Sequence, residues 1–61
     1  MTLYIKIDMS GAAFEDDGEA SRILRELAQK IEGHSLRFGD KLVARDINGN
    51  TCGWLEVDGD E

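Results

Sequence analysis

The sequence predicts an α+β fold, a β-α-β-β chain in which one helix packs on a three-stranded antiparallel sheet of order 1-3-2. Three observations predict it. Residues 2–8 alternate apolar and polar side chains. Residues 20–31 repeat apolar side chains at helical spacing. Asn48-Gly49 separates two further strand-like runs, as in a hairpin.

In the first run Leu3, Ile5 and Ile7 fall on one face, and Tyr4, Lys6 and Asp8 on the other. Period two with β-branched residues reads as a strand with one buried face. Ser10-Gly11 breaks it. The helical stripe consists of Ala20, Ile23, Leu24, Leu27, Ala28 and Ile31, with Arg22, Arg25, Glu26, Gln29 and Lys30 on the other side. Asp16 and Glu19 have capping-box spacing, and Asp17 is a competing N-cap. Glu26 and Lys30 form an i,i+4 pair in the favourable order. Gly33 stands where a left-handed residue ends a helix.

Residues 41–47 read as the second strand and 51–57 as the third. A three-residue loop, Asn48-Gly49-Asn50, puts Val43, Ile47, Leu55 and Val57 on one aliphatic face, and this register is preferred. A two-residue loop regroups them. Trp54 lies on the open face, near Tyr4, in the preferred register and in the core in the other. The helix returns the chain to its starting end, so strands one and two run parallel. Placing strand three between them makes every pairing antiparallel. The tail Asp58-Gly59-Asp60-Glu61 is expected to fray.

Sixty-one residues make one domain, residues 1–61. So short a chain buries only about 60% of its unfolded surface, so its stability margin is thin. Cys52 is the only cysteine and His34 the only histidine, which excludes an internal disulfide and a structural zinc site. No cofactor is expected. His34 reads as a loop residue, Cys52 as a small core or edge residue, and no nucleophile-base arrangement or phosphate loop is visible, so no enzyme is expected. The N-terminus lacks a signal-peptide run and no stretch is long and apolar enough to span a membrane, so a cytoplasmic protein is expected.

Thirteen acids against seven bases give a net charge of −6. That disfavours direct contact with nucleic acid or an anionic membrane and favours a basic protein surface. Asp8, Glu15, Asp16, Asp17 and Glu19 crowd the first twenty residues, and Asp46, Glu56, Asp58, Asp60 and Glu61 the last sixteen. The expected topology gathers Asp8, Glu15, Asp16, Asp17, Glu19 and Asp46 at the end where the helix starts. Glu56, Asp58 and Asp60 fall at the opposite end. Acids at a helix start also serve the free N–H groups and the dipole, but that accounts for only one or two of them. The first group is the expected partner-binding surface, with the tail acids secondary. A pole of carboxylates can take the place of phosphates in a basic groove.

Two segments carry a resemblance. Ala12-Ala13-Phe14-Glu15-Asp16-Asp17 runs into Glu19-Ala20-Ser21-Arg22-Ile23-Leu24-Arg25-Glu26-Leu27-Ala28, and Arg45-Asp46-Ile47-Asn48-Gly49-Asn50 precedes Gly53. Together they resemble small proteins of bacteriophages and other mobile elements, more narrowly the type I-C anti-CRISPR proteins of Pseudomonas-type hosts. The resemblance implies a non-enzymatic inhibitor, monomeric or weakly dimeric, in the host bacterial cytoplasm. It implies binding to a subunit of a type I-C CRISPR effector complex and loss of target-DNA binding, by DNA mimicry or by steric block. The alternative is a regulatory or antitoxin-like module that binds through its acidic patch, its sheet edge or Trp54.

Overall fold

A computed structural model describes residues 1–59; Asp60 and Glu61, and the expectations placed on them, lie outside the described residues. The order is strand β1 (Thr2–Ile7), a 3₁₀ turn (Ala12–Glu15), helix α1 (Glu19–Ile31), strand β2 (Lys41–Arg45) and strand β3 (Thr51–Asp58). The sheet has the order β1-β3-β2, and both pairings are antiparallel, as expected.

The core is small. Ile23 and Leu27 from α1 meet Ala44 and Leu55, with Ile7, Phe14, Ile31, Leu42 and Cys52 packed around them. Ile23 and Leu55 are fully buried. Side chains of that size stabilise by about 1.5–3 kcal/mol each when removed from water.

The hairpin corrects the expected faces. Its loop has three residues, as expected, but they are Ile47-Asn48-Gly49. The Asp46 N–H donates to the Asn50 carbonyl at 2.9 Å, and the Gly49 N–H donates to the Asp46 carbonyl at 2.9 Å. Gly49 takes φ +85°, the left-handed residue that closes such a loop. The Asp46 carboxylate accepts the Asn48 and Asn50 N–H groups at 3.0 and 2.9 Å, so the chain turns before residue 47 and β2 ends at Arg45. A bulge follows. Ala44 faces Gly53 but Arg45 faces Thr51, leaving Cys52 as the extra residue. Leu42 and Ala44, not Val43 and Ile47, therefore join Leu55 and Val57 on the inner face. Val43 and Ile47 are exposed.

Gly53 is needed beside that bulge. A Cβ built on it would sit 1.8 Å from the Lys6 carbonyl oxygen. Only a residue without a side chain lets β3 pass so close to β1.

The helix also departs from expectation in detail. Its N-cap is Gly18, with no side-chain cap. Asp16 instead folds the preceding turn: its carboxylate accepts the Gly18 N–H at 3.2 Å and its carbonyl the Glu19 N–H at 3.2 Å. Asp17 caps nothing, and Glu19 turns inward rather than back to the cap. Glu26 pairs with Arg22 at 3.7 Å rather than with Lys30. Gly33 ends α1 as expected, at φ +81°. Of the expected apolar stripe, Ile23 and Leu27 are buried and Ala20 and Ile31 half-buried, whereas Leu24 and Ala28 are exposed.

That asymmetry follows from where the helix lies. Arg22 Nη2 donates to the Arg45 carbonyl at 3.3 Å, which ties α1 towards β2. Leu24 lies on the opposite flank of the helix, and the β1 side of the sheet is left uncovered. Leu3 and Ile5 project from the inner face yet remain 43% and 44% exposed.

Candidate functional site

The end of the molecule where α1 begins gathers the expected acids, but the fold uses them in two different ways. Glu19 and Asp46 are internal. Glu19 is 5% exposed, and its carboxylate accepts Arg22 Nε at 3.0 Å, Arg22 Nη2 at 2.9 Å and the Ile47 N–H at 2.8 Å. The Arg22 hydrogen bonds, with help from the Ile47 N–H, hold the Glu19 carboxyl below its ordinary value despite burial, and Glu19 raises the Arg22 guanidinium in return. Asp46 is 8% exposed and is occupied by its own loop. Neither carboxylate is presented to a partner.

Asp8, Glu15, Asp16 and Asp17 are exposed. The Asp8 carboxylate accepts the Ser10 N–H at 3.0 Å, and its hydrogen bonds to Ser10 lower its pKa. Among the described residues no salt bridge joins any of the four to a cation. The 3₁₀ turn and the two residues after it thus hold Glu15, Asp16 and Asp17 in water beside the end of β1. Helix α1 is 13 residues long and separates this pole from the other end by about 20 Å at 1.5 Å per residue.

The secondary acids sit on the sheet. Glu56 is half-buried opposite Tyr4 on one side and Lys41 on the other. Asp58 is half-buried opposite Thr2. They belong to the sheet's open face and are not joined to the acidic pole.

The centre of that face is Trp54, half-buried in the middle strand. Lys6 stands directly opposite it on β1 and Val43 on β2. The Lys6 and Lys41 ammonium groups each lie 5.2 Å from the Trp54 ring centroid. Both lie within the range where the ring's negative face attracts a cation. The preferred reading put Trp54 on this face. The two lysines were missed, although pairing Lys6 with Trp54 follows once the β1–β3 register is fixed.

Burial, reinforced by the Asp46 carboxylate, pushes the Cys52 thiol up, so it stays protonated at neutral pH. His34 lies beyond α1, at the rim of a cleft of about 260 Å³ floored by Leu36, Leu42 and Leu55, with Lys30 and Lys41 beside it. Among the described residues no group of three or more His, Cys, Asp or Glu side chains is placed to hold a metal ion. Among the described residues no helix is long and apolar enough to cross a membrane.

Fold and surface together define a small α+β domain with an acidic pole and a Trp-centred open sheet face. No family model, no curated protein and no solved structure matches the chain.

Proposed function

We propose that the protein is a non-catalytic inhibitor that binds a Lys/Arg-rich protein surface through its acidic pole. The resemblance in residues 12–28 and 45–53 suggests the partner: a type I CRISPR surveillance complex, whose DNA-binding groove tracks phosphates and is therefore basic. Occupation of that groove would exclude target DNA.

One observation supports this reading above others. Asp8, Glu15, Asp16 and Asp17 are exposed and, among the described residues, form no salt bridge to a cation, while the buried carboxylates at this end are Glu19 and Asp46. Asp8 and Asp16 each make one local turn bond, but Glu15 and Asp17 make no such bond, and like charges crowded at one end repel, which fits a binding role better than a structural one.

The test is retention of the tagged protein on a purified type I-C surveillance complex, followed by a target-DNA binding assay. The double variant Glu15→Lys, Asp17→Lys leaves the Asp16 turn bond in place, and should keep its circular dichroism spectrum and lose both retention and inhibition. Retention that survives both the charge reversal and high salt would remove the acidic pole from the mechanism and favour the regulatory-module reading, with the sheet as the contact.

A further inference from the structure

We propose that the chain forms a homodimer through the free edge of β1, a second copy adding its own β1 antiparallel about a two-fold axis at Tyr4. The two sheets would then be continuous. This inference does not depend on the proposed function.

The backbone supplies the first reason. Among the described residues strand β1 pairs with β3 alone. The Asp8 N–H donates to the Cys52 carbonyl at 2.7 Å, in the same register as the rest of the pairing. Main-chain groups alternate sides along a strand, so those of Thr2, Tyr4 and Lys6 point to β3. Those of Leu3, Ile5 and Ile7 point outward, an open ladder along a regular strand.

The two edges of the sheet are protected differently. β2 carries Lys41 and Arg45 and lies against the bulge at Cys52, features that discourage further pairing. β1 contains no glycine, proline or bulge. Its one charge, Lys6, is drawn over Trp54 within the sheet and leaves the edge neutral.

Side chains supply the next reason. Leu3 and Ile5, on the inner face, are 43% and 44% exposed because α1 lies towards β2, and Tyr4, on the open face, is 51% exposed. Exposed apolar groups in an unpaired strand signal a contact.

Self-complementarity identifies the occupant. With Tyr4 on the axis, Leu3 faces Ile5 of the second copy, and Ile5 faces its Leu3. These are the positions with outward main-chain groups, so they would exchange hydrogen bonds. Tyr4 faces Tyr4 at a non-hydrogen-bonded position, where opposed side chains come closest. Thr2 faces Lys6, so no like charges are directly opposed. The antiparallel arrangement also sets the two acidic poles at opposite ends, which a parallel one would not. Such an interface is isologous and closes at two copies.

Sedimentation equilibrium from micromolar to millimolar concentration tests the association. The wild-type chain should approach the dimer mass. Ile5→Pro removes an outward N–H and no bond within the chain, and Ile5→Lys places a charge on the edge. Both should be monomeric with an unchanged circular dichroism spectrum. In a Cys52→Ala background, Tyr4→Cys should form a disulfide-linked dimer on mild oxidation, since opposed non-hydrogen-bonded positions lie within disulfide reach. A wild-type chain that stays monomeric throughout, or a dimer that persists in both Ile5 variants, would overturn the proposal. A dimer in which Tyr4→Cys fails to cross-link would overturn the register.

Discussion

The Glu19 carboxylate accepts the Ile47 backbone N–H at 2.8 Å across the top of the fold. This bond, together with that from Arg22 Nη2 to the Arg45 carbonyl at 3.3 Å, joins the first turn of α1 to the β2–β3 hairpin. It converts an acid that looks like part of a surface cluster into the link between the two halves of the chain.

Glu19→Gln should therefore lower the melting temperature at neutral pH, since it loses the charge-assisted pair with Arg22. The pH dependence carries the sign of a depressed carboxyl. Ionised Glu19 contributes stability fully above the ordinary carboxylate range, and that contribution is lost as pH falls through the lowered folded-state value. Thermal melts of both proteins through the acid range check this. The two curves should differ most near neutrality and converge in acid.

Asp46 is expected to matter through geometry. Asp46→Ala leaves the Asn48 and Asn50 N–H groups without their acceptor and should cost about 1–3 kcal/mol. Asp46→Asn keeps an acceptor oxygen and should cost less. Urea unfolding of the three proteins gives the comparison. Equal losses in both variants would mean that the loop depends on charge rather than on these two bonds.

Gly53→Ala should be among the most damaging single-atom additions to this chain. The new Cβ would meet the Lys6 carbonyl oxygen at 1.8 Å, and a backbone carbonyl cannot rotate away as a side chain can. The expected loss lies at or above the upper end of the about 1–3 kcal/mol typical of overpacking. Loss of cooperative unfolding, or of soluble expression, is the measured sign.

Trp54 should couple measurably to both lysines. A double-mutant cycle between Lys6→Met and Trp54→Leu, and another with Lys41→Met, should each return about 0.5–1 kcal/mol, the range for exposed cation–π pairs. Methionine keeps most of the aliphatic stem, so the coupling reports the ammonium. A value near zero in both cycles would leave the lysines as stems packed on the ring.

Much of the architecture is legible in short-range patterns. Alternation over residues 2–8 marks β1, the spacing of Ile23, Leu27 and Ile31 marks α1, and Asn48-Gly49 marks the hairpin. These signals are periodic and local, so they survive without tertiary knowledge. Gly33 was legible for the same reason, because a left-handed residue after a helix asks for glycine. The faces of β2 were not. The three-residue loop was legible in length, but its placement turned on whether Asp46 would reach forward to Asn48 and Asn50. A side chain that outcompetes strand pairing leaves no periodic trace. The bulge at Cys52 then shifted the pairing by a further residue.

The candidate surface divides along the same line. Charge and order along the chain bring Asp8, Glu15, Asp16, Asp17, Glu19 and Asp46 to one end, because a helix between two strands carries the chain back to its start. Which of them face water depended on tertiary structure. Glu19 lies at an angle on the helix close to that of Ile23, so it turns inward, and it is tolerated there because Arg22 and the Ile47 N–H meet its carboxylate. Asp46 is consumed by the loop it folds. The sequence alone determined the elements, their order and the acidic balance, because each follows from side-chain type and spacing. Only the tertiary structure decided the register, the uncovered edge of β1 and the division of six acids into four exposed and two buried. Those depend on hydrogen bonds and contacts between residues far apart in the chain, for which local pattern carries no signal.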